Sequence, residues 1–308
     1  MKKNLVALML SSVAAASALV GCGVPGASMV NGETGSLKGM SAVTGTKRAF
    51  LVGINDYMMQ GADLRGCVND IKNVQANMLS AEGFKANDTT VLLDQQATRE
   101  NILAGLKAAV AATKKGDFLY FHYSGHGAQV RDTNGDEPDG MDEILCPTDL
   151  ASGPNGFKNA ILDDELQSIL GQLPAGASML FVSDSCNSGT VDRLNRVRGL
   201  NLENNTRNLD AVRVNTKAMS TFAARANSGA YTLISGCQDD QTSADAYITG
   251  TYNGALTYYL VDSYKKGGQA MTYADWHKAT VSAIKANRYS QTPNLQGAAN
   301  AKIFSIVN

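Results

Sequence analysis

The sequence predicts an α/β protein with a mostly parallel central sheet and helices on both of its faces. From Lys47 onward, short apolar runs alternate with longer segments in which apolar residues recur at helical spacing. Two polar, glycine-containing stretches, 129–150 and 192–226, follow the ends of predicted central strands. With 308 residues and 44% hydrophobic composition, the chain is long enough to bury a large core.

The predicted elements follow from this alternation. Strands are expected at Arg48–Ile54, Thr90–Leu93, Asp117–Tyr123, Ala177–Asp184, Ala230–Ser235 and Ile303–Val307. Helices are expected at Val68–Ser80, Arg99–Thr113, Asp164–Leu170, Ala255–Lys265 and Tyr273–Ala286. Thr98 is a candidate N-cap for the second helix, and the Asp163–Asp164 pair for the third.

The first 46 residues differ from the rest in composition. Residues 1–21 are predicted to be a secretory signal peptide, because Lys2 and Lys3 precede a short alanine-rich apolar run. The run ends in Leu-Val-Gly-Cys22, which resembles the lipobox of bacterial lipoproteins, although a buried N-terminal helix is the alternative. Residues 22–46 are then predicted to form a lipid anchor and flexible tether, and residues 47–308 are predicted to form the folded domain. We therefore expect an exported lipoprotein, anchored to a bacterial membrane in the cell envelope or periplasm through Cys22.

Charge and cysteine content narrow the classes of function. Lys and Arg total 27 against 28 Asp and Glu, so no overall field attracts nucleic acid, and no nucleic-acid partner is expected. Five cysteines are present; without Cys22, four remain, and none has C-x-x-C spacing. Neither a zinc site nor a disulfide framework is favoured, and the pairing of these thiols stays open.

Two strand ends carry a base and a nucleophile. The run Phe118–Phe121 leads to His126, and the run Met179–Val182 leads to Cys186. Ligands of parallel sheets bind beyond the carboxyl ends of the strands, where an imidazole can take the thiol proton of a cysteine. Gly127 and other glycines flank the two residues and allow backbone amides to approach an oxyanion. This combination favours a catalytic pair over two inert buried side chains.

The motifs themselves resemble those of metacaspases, the caspase relatives of the peptidase C14 family. The matching segments, in chain order, are Arg65–Asp70, Tyr123–Gly127, Asp184–Gly189 and Ser235–Asp245. The resemblance implies a caspase-hemoglobinase fold and a cysteine endopeptidase that cuts after Arg or Lys. It also implies that His126 is the base and Cys186 the nucleophile, with the amides of Gly127 and Cys186 binding the oxyanion. The large-subunit-like part would be 47–191, the linker 192–228 and the small-subunit-like part 229–308.

A carboxylate near the nucleophile supports basic specificity on physical grounds. Asp184 should share a face with Cys186, and an anion there would raise the pKa of the thiol and oppose its activation. Because Asp184 would not help to activate the thiol, we interpret it as the counter-charge of a cationic substrate side chain. The resemblance adds Asp70, Ser124 and Cys67 to the same pocket, although Asp70 alone would read as a helix-start carboxylate.

Acidic residues between the two motifs raise the question of calcium. Many metacaspases need calcium, and the resemblance gives Asp163, Asp164, Asp142 and Asp192 as candidate ligands. Asp163 and Asp164 are equally compatible with a helix cap. An EF-hand at Asp132–Glu143 is disfavoured, because Glu137 stands where the turn needs glycine, and a solvated acidic hairpin is expected instead. No organic cofactor is expected.

The stretch after Cys186 is rich in Arg and Lys, so an anionic pocket would make it a candidate for self-cleavage. The alternatives are a disordered linker and a substrate-mimicking lid that is never cut. The expected partners are peptide or protein substrates with Arg or Lys, and the expected state is a monomer. A catalytically silent, membrane-tethered protein of this fold that binds basic peptides is the competing hypothesis for function.

Overall fold

A computed structural model describes residues 40–135, 140–153, 156–185, 230–237 and 241–307. The chain divides into two compact units, Met1–Leu37 and Lys38–Asn308. All of the described residues belong to the second unit. The predicted signal peptide, the predicted linker 192–228, and the residues Cys22, Cys186 and Asp192 lie outside the described residues.

The second unit is built on a six-stranded sheet with the order β14-β11-β10-β4-β2-β3, in which only β14 runs antiparallel to its neighbour. Its strands are β2 (Lys47–Gly53), β3 (Thr89–Leu93), β4 (Phe118–Ser124), β10 (Ser178–Asp184), β11 (Ala230–Ser235) and β14 (Asn294–Gly297). Every residue of β4 and of β10 is buried. Such continuous burial is expected of central strands covered on both faces.

In the described part of the chain, five α-helices cover the sheet: α1 (Cys67–Val74), α2 (Arg99–Ala112), α3 (Asp163–Leu170), α4 (Ala255–Gly267) and α5 (Tyr273–Ala286). A π-helical turn, Gln75–Leu79, continues α1. Apolar side chains of α2 and α3 pack on one face of the sheet, and those of α1, α4 and α5 pack on the other. The predicted α/β class, with helices on both faces, is therefore confirmed.

The smaller strands form pairs and ladders around this core. They are β1 (Met40–Ser41), β5 (Gly127–Arg131), β6 (Met141–Leu145), β7 (Ala151–Gly153), β8 (Gly156–Lys158), β9 (Ile161–Leu162), β12 (Asp245–Ile248), β13 (Thr251–Gly254) and β15 (Ile306–Val307). β5, β6 and β9 make one antiparallel ladder. β12 pairs with β13, and β7 with β8. β1, at the end of the predicted tether, pairs with β15.

Two sequence-based assignments differ from the structure. The strand predicted at Ile303–Val307 is only Ile306–Val307, and it pairs with β1 outside the main sheet. The sixth strand of the sheet is instead β14, which was missed because its sequence Asn-Leu-Gln-Gly lacks the apolar run of a covered strand. The Asp163–Asp164 pair does not cap α3 either. Both residues lie in its first turn, after the N-cap Leu162, whereas Thr98 does cap α2 by accepting a hydrogen bond from the Asn101 amide.

Candidate active site

The two predicted catalytic motifs leave the sheet side by side. β4 and β10 pair in parallel, with Phe121 opposite Phe181 and Ser124 opposite Asp184. The Phe121 and Phe181 rings stack with centroids 4.4 Å apart, which stabilises this register. His126 follows Ser124 by two positions, as residue 186 follows Asp184. The described chain ends there at Ser185, so Cys186 itself lies outside the described residues.

His126 is held on three sides. Its side chain is buried, with the residue only 4% exposed, and its ring lies 4.8 Å from the ring of Tyr57. Its backbone N–H donates to the Tyr57 hydroxyl at 2.8 Å. The ring Nε2 lies 2.6 Å from the carbonyl oxygen of Ala62, which can only accept, so the hydrogen-bond network assigns the ring proton to Nε2. The neutral imidazole then carries its basic lone pair on Nδ1.

Two buried tyrosine hydroxyls meet beneath the histidine turn. The Tyr123 hydroxyl lies 2.7 Å from the carbonyl oxygen of His126 and 2.8 Å from that of Cys146. A Cβ on Gly125 would stand 2.7 Å from the Tyr123 hydroxyl and 2.8 Å from the Tyr57 hydroxyl, so glycine is required for this approach. Burial raises the pKa of Tyr57 and of Tyr123 well above the usual value. Both hydroxyls therefore stay protonated in neutral solution and keep their hydrogen bonds.

Gly127, the predicted oxyanion donor, is the first residue of β5 and pairs with Leu145 of β6. The carbonyl of the preceding residue, His126, accepts the Cys146 amide at 3.1 Å. The antiparallel ladder thus begins directly after the histidine. The turn that carries His126 is consequently anchored by β4 on one side and by β5 on the other.

The predicted pocket residues converge at the same edge of the sheet. Asp70 of α1 is fully buried and accepts the Ser124 hydroxyl at 2.6 Å and the Gly254 amide at 2.9 Å. Asp184 is fully buried and accepts the Ser243 hydroxyl at 2.7 Å and the Thr257 amide at 2.9 Å. These four donors are hydroxyl and backbone amide groups, and they hold the two carboxylates in place.

Cys67 lies one helical turn before Asp70 on α1, where its backbone amide donates to the Asn55 side chain at 2.9 Å. It is buried, as are Cys146 and Cys237. Burial raises the pKa of the Cys146 thiol. A buried thiol with a raised pKa is unreactive, so Cys146 is not suited to act as a nucleophile.

The acidic candidates for calcium are split between buried and exposed positions. Asp142 of β6 and Asp163 of α3 are buried, whereas Asp164 accepts the Asn134 side chain at 2.7 Å in a solvent-exposed contact. Among the described residues, no group of three or more His, Cys, Asp or Glu side chains is placed to hold a metal ion. Asp192 lies outside them. Two buried carboxylates are nonetheless the hard oxygen donors that calcium prefers.

The expectation of a solvated acidic hairpin was wrong for its second strand. Asp142 and Glu143 are buried, and the Gln129 side chain donates to Glu143 at 3.1 Å. The hairpin β5–β6 lies against the α2–α3 face, since Ala128, Ile144 and Leu145 join the apolar cluster there. Residues 142–145 of β6 are buried without alternation, so both faces of this strand are covered despite the charge of the segment.

Several residues of the site gave no sequence signal. Tyr57 and Ala62 lie in a loop without periodicity, and they reach His126 only because that loop follows β2, the neighbour of β4. Ser243 and Thr257 contact Asp184 from more than 50 residues away. Only the Ser235–Asp245 segment, matched as a motif, pointed to Ser243.

In the part of the chain that the structure describes, no helix is both long and apolar enough to cross a membrane.

A mostly parallel sheet with helices on both faces, and two matched motifs that begin on its adjacent strands β4 and β10, agree with the resemblance to caspase-like peptidases. Residues 47–195 match the family model described as "Metacaspase, peptidase C14 domain". Metacaspase-1 of Mycosarcoma maydis is 35% identical over 294 residues, which cover 83% of this chain and 71% of that protein. Metacaspase-1 of Ajellomyces capsulatus is 31% identical and is covered to 80%. The chain belongs to the metacaspase family of C14 peptidases and is a cysteine-type peptidase, a hydrolase.

Solved structures agree on the fold. The crystal structure of protein GSU0716 from Geobacter sulfurreducens aligns with a TM-score of 0.62 at 29% identity, covering 86% of this chain and all of that one. Caspase-1 from Spodoptera frugiperda aligns with a TM-score of 0.57 at 14% identity, covering 86% of this chain and 91% of that one. The second match shows the caspase-like fold alone.

The contact between Tyr57 and His126 generates a prediction. Tyr57→Phe keeps the ring but removes the oxygen that accepts the buried His126 N–H, which should cost about 1–3 kcal/mol of stability. Because the histidine turn loses a support, kcat should fall about tenfold with KM nearly unchanged. Denaturant unfolding and steady-state kinetics measure the two effects. Tyr247→Phe, at a tyrosine that is 65% exposed, is the matched control, and equal behaviour of the two variants would contradict the positioning role.

Proposed function

We propose that this metacaspase cuts peptide bonds after Arg or Lys by means of His126 and Cys186. The His126 Nδ1 takes the thiol proton, and the sulfur attacks the scissile carbonyl carbon. The oxyanion is bound by the amides of Gly127 and Cys186. The imidazolium then gives its proton to the departing amine, and water hydrolyses the acyl-enzyme with His126 again acting as base.

The observation that carries this proposal is the parallel pairing of Ser124 with Asp184. It starts the histidine and cysteine motifs from adjacent positions on adjacent strands, so that the same chain length separates each functional residue from its strand. The Nε2 contact with Ala62 adds to the argument, since it leaves the basic nitrogen as Nδ1. A histidine fixed in this tautomer is suited to act as a general base.

The proposed specificity rests on two buried carboxylates at the same edge. Ser124, whose backbone lies opposite Asp184, donates to Asp70. Neutral hydroxyls and backbone amides hold both acidic side chains. Two anions kept in low-dielectric surroundings favour a cation strongly, and a guanidinium or ammonium group of the substrate meets that requirement. An Asp side chain would be repelled.

The specificity is tested with reporter peptides that end in Arg, Lys or Asp. The wild type should hydrolyse the Arg and Lys reporters, while Cys186→Ala and His126→Ala should not. Asp184→Asn and Asp70→Asn should each lower kcat/KM for the Arg reporter about a hundredfold, since each removes a buried counter-charge. Asp117→Asn is the matched control, because Asp117 is a buried carboxylate at the opposite end of β4, where it accepts the Thr46 amide. Preferred cutting after Asp would overturn the proposal.

Calcium is proposed as an activator held by Asp142, Asp163, Asp164 and Asp192. The buried positions of Asp142 and Asp163 support it, because buried carboxylates are stabilised by a hard cation. A bound ion would neutralise these carboxylates and order the neighbouring chain.

This leads to a chelation prediction. Excess chelator should abolish activity, and added calcium should restore it. The Asp163→Asn variant should need more calcium for the same activity. Asp262→Asn should not, because it removes a carboxylate from α4, which packs on the opposite face of the sheet from α3. Direct calorimetric titration checks binding without a substrate. Full activity of the wild type in chelator would rule out a calcium requirement.

Self-processing is proposed within the Arg- and Lys-rich stretch after Cys186, including Arg193, Arg196, Arg198, Arg207 and Arg213. A pocket selective for basic residues would accept this segment of its own chain. Intact-mass spectrometry should find the wild type in two fragments and Cys186→Ala as one chain. Identical masses for both would contradict self-cleavage.

The N-terminal sequence supports the proposal of an exported lipoprotein anchored at Cys22. If Cys22 is lipidated, the wild-type protein should partition into the membrane fraction of the expressing bacterium, and Cys22→Ser should release it. Detergent partitioning followed by immunoblotting measures this. Equal membrane retention of both forms would contradict the anchor.

A further inference from the structure

A buried chain of polar side chains runs from the sheet interior to the proposed specificity pocket. The Tyr120 hydroxyl lies 2.6 Å from Nδ1 of His122, and Nε2 of His122 lies 3.1 Å from the Thr257 hydroxyl. That hydroxyl lies 2.8 Å from Oδ2 of Asp184. Tyr120, His122, Thr257 and Asp184 are all fully buried. His122 takes no part in the proposed peptide-bond chemistry, which uses His126.

The directions of these hydrogen bonds follow from the two ends of the chain. The Asp184 carboxylate can only accept, so the Thr257 hydroxyl donates to it and its oxygen accepts from His122 Nε2–H. Burial raises the pKa of Tyr120 well above its usual value, so that hydroxyl is protonated and donates to His122 Nδ1. Every donor therefore points toward Asp184. The network assigns His122 to the neutral tautomer with its proton on Nε2.

We propose that His122 is a positioning residue which, through Thr257, fixes the Asp184 carboxylate for the cationic side chain of the substrate. The inference rests on the proposed cleavage after Arg or Lys. A threonine near the start of a helix can turn its hydroxyl toward the carbonyl four residues earlier, here that of Asn253. Donation from His122 occupies the oxygen of Thr257 and directs its single hydrogen to Asp184.

This arrangement explains why a second histidine stands in the middle of β4. An apolar residue at position 122 would fill the same space, but it would leave the Thr257 hydroxyl free to rotate and the Tyr120 hydroxyl without its acceptor. The Thr257 backbone amide also donates to Asp184, at 2.9 Å. Thr257 thus donates two hydrogen bonds to Asp184, one from its backbone amide and one from its hydroxyl. His122 sets the orientation of the hydroxyl.

Kinetics on Arg reporter peptides test the consequence. Thr257→Val and His122→Phe should each raise KM about tenfold while kcat stays within about twofold, since the change affects a charge-assisted contact and not the reacting atoms. Thr257→Ser, which restores the hydroxyl, should return KM to near the wild-type value. Thr280→Val is the matched control, because the hydroxyl of this buried helical threonine bonds only to the carbonyl of Trp276. A folded Thr257→Val variant with the wild-type KM would overturn the proposal. A variant in which kcat falls by as large a factor as KM rises would also overturn it.

Histidine-selective ¹⁵N NMR tests, without any substrate, the hydrogen-bonded chain from Tyr120 through His122 and Thr257 to Asp184, which we call the relay. The chain has three histidines, so His122 can be assigned by its loss in His122→Phe or, if that variant does not fold, by its response to Tyr120→Phe. His122 should show the neutral Nε2–H tautomer, and Thr257→Val should shift this signal while leaving that of His277, which contacts the Pro293 carbonyl, in place. A His122 signal unaffected by Thr257→Val would refute the relay. Wild-type enzyme without preference for Arg or Lys would instead refute the proposed specificity, and the NMR result would still decide the relay.

Discussion

The parallel register between β4 and β10 is the constraint on which the site depends. It places Ser124 opposite Asp184, and the stacked rings of Phe121 and Phe181 hold it from within the core. A slip of one residue would turn every following side chain of one strand to the opposite face. Ser124 would then lose Asp70, and the two motifs would no longer leave the sheet at the same level. The apolar interior of two strands thus sets the geometry of polar groups beyond their ends.

Buried polar groups lie at the carboxyl edge of the sheet, and the carboxylates among them accept hydrogen bonds from neutral groups. Asp70 and Asp184 accept from hydroxyls and backbone amides supplied by β4, β13, α4 and the loop before β12. A buried carboxylate without such donors would cost several kcal/mol. These neutral donors reduce that cost without adding a positive charge, and under the proposed specificity the substrate would supply the cation. Stability and the proposed specificity therefore have the same physical origin.

Much of the fold followed from the sequence because apolar periodicity is a local signal. The starts of α2 and α5 and the bounds of β11 were predicted to the residue, since caps and apolar runs mark them. β14 was missed because an edge strand needs little apolar surface, and β15 was misplaced because pairing partners cannot be read from a short apolar run. The burial of Asp142 and Glu143 was missed for a related reason, since nothing in the charged segment indicated that both faces of β6 are covered.

The candidate site was predictable only where its residues stand in recognisable motifs. His126, Asp70 and Asp184 lie at the ends of apolar runs or in matched segments, and the structure gathers them at one edge. Tyr57, Ala62, His122 and Thr257 were not predicted as site residues, because their contacts are made by loops and helices distant in the sequence. Tertiary contacts of this kind leave no periodic trace in a single sequence.

The central claim, that His126 activates Cys186, is tested most directly by the pH dependence of Cys186 alkylation. Iodoacetamide is added over a range of pH, and peptide mapping follows Cys186 separately from the buried Cys67, Cys146 and Cys237. The account predicts fast alkylation of Cys186 at and below neutral pH in the wild type, and in His126→Ala a shift of the profile toward that of an ordinary thiol. Superimposable profiles for the two proteins would contradict it.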